Sequence, residues 1–176
     1  MKYIDKLEQI ILGWVSKLPH LPVSAKRWLS ANIWWIVLVL AIIQSINTVY
    51  VLFSLMPMLL SLNHPQGFYL VSLVGGFWSV IVSTFNLIFS VISLVLLYTA
   101  ITPLKNMLKK GWVLLFAAWI VSAVHLVAGT SLTLNPLFLV VAVLYGAVSL
   151  AVSGYLLFEI HGHFAHVKTT KTNTKQ

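Results

Sequence analysis

Four uncharged polar side chains carry most of the chemistry open to this sequence: Asn47, Asn86, His125 and Tyr145. Each lies in a different long apolar block. Counted from the block ends that carry the basic residues, they stand about 14, 15, 13 and 15 residues in. At 1.5 Å per residue of helix, that places them within about 3 Å of one level. Polar groups inside a membrane are costly and mark the first place to look for function. A layer containing an imidazole could hold a ligand or relay a proton. The same layer equally suits a hydrogen-bonded cluster that fixes helix register. Gln44, Ser83, Ser90, Ser122 and Ser149 are secondary polar candidates in the same blocks.

A second cluster follows the last block. Glu159, His163 and His166 fall at spacings of 4 and 3, so a continued helix would put them on one face as candidate metal ligands. Gly162 weakens the helix this needs, and a solvated helix end with basic side chains accounts for the same residues. His125 and His161 lie at different levels, which disfavours a bis-histidine haem. No cofactor is expected. With three acidic residues, none of them inside a block, the chain offers no carboxylate pair or relay. With no cysteine it offers no thiolate chemistry. Phosphate loops, metalloprotease pairs and nucleophile elbows are missing too. The expectation is a protein that is not an enzyme.

The elements that would position these residues follow from composition. Of 176 residues, 60% are hydrophobic and 8% charged. Soluble domains carry nearer 25% charge, so a water-soluble globule is excluded. The expected fold class is an all-α integral membrane protein: an antiparallel bundle of four transmembrane helices, preceded by an amphipathic interfacial helix. The spans are read at about 33–57, 77–101, 112–130 and 136–160, each long enough for a hydrocarbon core of roughly 30 Å. Residues 1–32 form a cytoplasmic interfacial segment and 161–176 a polar tail. Tyr3, Leu7, Ile10, Ile11, Trp14 and Leu18 share one helical face near the start. Thr102-Pro103 is read as closing the second span, and Phe68 to Gly76 as an extension broken at Gly75-Gly76.

All eleven basic residues precede the first span, join the second to the third, or follow the fourth. The positive-inside rule then places both termini in the cytoplasm of a cell membrane. Lys17, Lys26, Arg27, Lys105, Lys109 and Lys110 would face the anionic inner leaflet. Trp34, Trp35 and Trp112 would mark the same interface. The basic excess is therefore read as a lipid partner and not a nucleic acid, with a homo-oligomer or a membrane-protein partner also open.

Small and polar residues recur near a 3.5-residue period in three spans: Ser79, Ser83, Asn86, Ser90 and Ser93; Ala118, Ser122, His125 and Gly129; Ala142, Gly146, Ser149 and Ser153. The first span shows the pattern more loosely at Ala41, Ser45 and Thr48. Such seams let helices approach closely where lipid removes the hydrophobic drive. Leu29 to Asn47 can also be laid against Leu108 to His125 with one gap, as an old duplication would leave them. A non-enzymatic accessory, scaffold or lipid-interacting component is the functional expectation. The alternatives are a transporter or channel subunit acting as an oligomer, and an intramembrane redox or metal-binding protein.

Overall fold

The computed structural model describes residues 19–61, 76–132 and 136–164, together with Ile11 and Gly13. Four helices account for nearly all of these: α1 (Val23–Ser61), α2 (Gly76–Lys105), α3 (Lys109–Ser131) and α4 (Pro136–Glu159). A single 3₁₀ turn over His161–His163 follows. Among the described residues there is no strand. All four helices are long and apolar enough to cross a membrane. Of the amphipathic face only Ile11 is described, packed against the core, while Tyr3, Leu7, Ile10, Trp14, Leu18, the 68–75 segment and residues 165–176 lie outside the described residues.

The helices run past the expected spans at several ends, α1 to Ser61 and α3 from Lys109 among them, and two of these ends have a local cause. α1 starts at Val23, ten residues before the expected span. Pro22 offers its carbonyl to the Lys26 amide at 3.0 Å, and the helix-favouring Ala25, Lys26 and Arg27 continue the ladder into the apolar block. α2 runs through Pro103 to Lys105. Proline removes one helical donor, a small loss within the last turn of a helix. The chain then reverses through Met107, whose φ of 54° is left-handed. The Leu108 amide donates to the Pro103 carbonyl at 2.9 Å and closes the turn.

This reversal sets α3 tightly on α2. A Cβ on Gly111 would lie 2.5 Å from the Leu104 amide nitrogen and 2.8 Å from the Pro103 carbonyl carbon. Both are backbone atoms that cannot yield, so only glycine fits.

The apolar core gathers at the end of the molecule where Lys26, Arg27, Lys105, Lys109 and Lys110 are found. It joins Ile33 and Val37 of α1, Ala100 and Leu104 of α2, Trp112 and Phe116 of α3, and Leu157 and Phe158 of α4. Trp112 is at its centre and fully buried, which corrects its expected place in an interfacial belt. Its ring stacks on Phe116 at 5.3 Å, and its Nε1–H donates to the Leu157 carbonyl at 2.9 Å. That bond satisfies the indole without water, so the ring can be buried whole. Trp35 does remain 52% exposed, and the Lys105 ammonium lies 5.4 Å from the centroid of the Trp34 ring.

Away from this core the helices pack in chain order: α1 on α2, α2 on α3, α3 on α4. Gly146 approaches Leu126, Gly154 approaches Trp119, and Trp119 Nε1–H donates to the Leu150 carbonyl at 3.0 Å. Among the described residues α4 gains no comparable packing against α1. The small-residue seams reflect this asymmetry. Ala41, Ser90 and Ala118 are buried, whereas Ser149 and Ser153 on α4 remain exposed.

Candidate functional site

The gap between α1 and α4 is continuous with a cavity of about 750 Å³ that all four helices line. Ligand pockets generally range over about 300–1,000 Å³. One end of the cavity rests on the apolar core, at Ile33, Val37, Leu97, Leu115 and Leu157. The other end is polar, with Gln44, Asn47, Asn86, Ser122, His125 and Ser149. The polar end is deep: Asn86 stands ten residues, about 15 Å, inside the Gly76 terminus of α2.

Three of the four residues expected in one layer line this cavity, and two of them touch. His125 Nε2–H donates to Asn86 Oδ1 at 2.8 Å. The imidazole stacks on Phe89 at 5.2 Å, with Phe85 at 5.8 Å. α2 therefore holds the ring by one amide and two aromatic faces. Asn47 lines the same space, and its side chain is exposed because α4 does not cover it. Tyr145 is not brought to the layer; it is 77% exposed on the outside of α4.

The secondary candidates build a relay that sequence spacing did not reveal. Gln44 Nε2–H donates to Ser90 Oγ at 2.8 Å. Thr48 Oγ1–H donates to the Gln44 carbonyl at 2.8 Å. The Ser90 hydroxyl must therefore donate to Thr48 Oγ1, 2.6 Å away. The loop closes on itself and pins α1 to α2. Ser122 donates to the Ala118 carbonyl at 3.0 Å, a local bond that leaves only its lone pairs toward the cavity. Ser149 lines the cavity from α4, and Ser83 is half-buried on α2.

At the core end a second polar site appears where metal ligands were the sequence candidate. Glu159 is buried, with its carboxylate directed at the segment before α1. Oε1 accepts from His20 Nδ1 at 2.6 Å; Oε2 accepts from Lys26 Nζ at 2.7 Å and from the Leu21 amide at 3.2 Å. Tyr155 adds a bond from its hydroxyl to the Pro19 carbonyl at 2.6 Å. His163 is exposed, and His166 lies outside the described residues. Among the described residues no group of three or more His, Cys, Asp and Glu is placed to hold a metal. Lys26, expected to face lipid, is committed to this clasp instead, while Arg27, Lys105 and Lys110 are exposed. Lys109 is half-buried and Lys17 lies outside the described residues. The signal for the clasp was available in one respect: Glu159 is the only acid after Glu8. A lone carboxylate at the end of an apolar helix needs a cation, and nothing local to it in sequence names which one.

Comparison with protein-family models, curated proteins and solved structures found no match for the chain.

Proposed function

We propose that the chain is a multi-pass protein of the cytoplasmic membrane, its four helices antiparallel and both termini on the cytoplasmic side. Its role is that of a non-enzymatic, lipid-interacting component that holds an amphiphile in the cleft between α1 and α4. The observation that carries this reading is the cavity itself: mostly apolar, polar at its deep end, and open where one helix pair fails to pack. A closed interior would fit a scaffold, and a polar path from end to end would fit a channel. Here the Leu104, Trp112 and Phe116 core stands across the basic end, which favours binding over conduction. The exposed Arg27, Lys105 and Lys110 support attraction of that end to an anionic leaflet, at about 1 kcal/mol per basic residue near the surface.

Filling the cleft tests the proposal. Ser149 lines the cavity yet is exposed, so Ser149→Trp can occupy the space without displacing a packed residue. The wild-type chain, purified from its membrane and extracted, should release a bound amphiphile near stoichiometric amount by mass spectrometry. The Ser149→Trp chain should release several-fold less. Equal recovery from both would refute the reading.

A further inference from the structure

Two side-chain amide groups at the cavity's polar end have N–H donors with no protein acceptor among the described residues, and from them we infer that the site takes an uncharged amphiphile whose head is a hydrogen-bond-accepting carbonyl. This rests on the cleft being a binding site and specifies its ligand. Among the hydroxyls lining the cavity, those of Ser90, Ser122 and Ser153 direct their protons to Thr48 Oγ1, Ala118 O and Ser149 O respectively. They have none to offer a ligand. Asn86 Oδ1 accepts from His125, which leaves the Asn86 Nδ2 amino group with both N–H donors. The exposed Asn47 amide lines the same end, and its side chain has no protein hydrogen bond among the described residues. Two amide donor groups, from α1 and α2, thus converge on one polar pocket and call for an acceptor.

Charge and depth restrict the acceptor further. Among the described residues lining the cavity there is no Lys, Arg, Asp or Glu. A phosphate or carboxylate held about 15 Å inside the helix terminus would have no counter-ion, and its desolvation would cost several kcal/mol. A quinone or ester carbonyl carries no such cost. The rest of the molecule is provided for by Ile33, Val37, Leu97 and Leu157 within, and by the α1–α4 opening for a longer tail. Two natural lipid types share this chemistry, alkylated quinones and acylglycerols.

The full chain in detergent is titrated with four probes by calorimetry: a decyl benzoquinone, dioctanoylglycerol, dioctyl ether and dioctanoyl phosphatidic acid. One or both carbonyl probes should bind at least tenfold more tightly than the ether, and the phosphatidic acid should not displace them. Preference for the quinone assigns that type, and preference for the glyceride the other. Asn47→Leu should weaken the carbonyl probe roughly threefold to tenfold, the range for one hydrogen bond, and leave the ether unchanged. Asn86→Leu should act in the same direction. Ether and carbonyl probes binding alike, with Asn47→Leu without effect, would overturn the carbonyl assignment while leaving the cleft as a site. No binding by any probe, with amphiphile recovery unaffected by Ser149→Trp, would overturn both.

Discussion

Removing the Glu159 carboxylate and removing its side-chain partners should have different costs, because the two sides of the clasp are buried to different degrees. The Glu159 side chain is 1% exposed, whereas Lys26 is 22% and His20 53% exposed. In Glu159→Gln the amide oxygen still accepts a bond, and Lys26 and His20 can turn toward water. What is lost is the charge assistance of two or three hydrogen bonds, about 1–2 kcal/mol. In His20→Ala combined with Lys26→Met the carboxylate keeps only the Leu21 amide. A buried charge stripped of its partner costs about 3–5 kcal/mol. The double variant should thus be the less stable by about 2 kcal/mol. Adding Glu159→Gln to it should recover a similar amount, since the stranded charge is gone. Reversible unfolding in mixed micelles of increasing SDS content measures all four chains, and protease cleavage within 19–26 reports locally on the clasp. Equal losses for the single and double variants, or no recovery in the triple, would show that the carboxylate is not desolvated and refute the reasoning.

Gly111→Ala should destabilise by about 1–3 kcal/mol, because its methyl meets the Leu104 and Pro103 backbone and either α2 or α3 must shift; the same unfolding titration checks it. Tyr145→Phe should change stability by less than about 0.5 kcal/mol, as an exposed position does. Asn86→Leu, which strands His125 Nε2, should cost about 0.6 and at most roughly 1.7 kcal/mol on the same scale.

The helices were legible because apolar runs of this length have few alternatives: all four expected helices appear, with ends displaced where Lys26 and Arg27 extend α1 and Pro103 fails to stop α2. The Asn86–His125 bond was legible as a shared level, since depth can be counted along a helix. Tyr145 shares that level and misses the site, because counting depth ignores rotation about the axis. Rotation is set by neighbours, and among the described residues α4 packs extensively only on α3. The clasp was not legible: His20 and Glu159 are 139 residues apart, and local spacing offered Glu159 nearer histidines. Trp112 was misplaced because an indole suits an interface or a core equally, and only its bond to Leu157 decides between them.

The clasp also has a consequence in time. Glu159 lies 133 residues after Lys26, so at about 5–20 residues per second its synthesis follows by roughly 7–27 s. Until then the start of α1 lacks the Glu159 carboxylate that Lys26 and His20 hold in the finished fold. The fourth helix thus finishes the first, and a chain that stops short of residue 159 leaves the Lys26 ammonium and the His20 ring without the partner that marks the finished molecule.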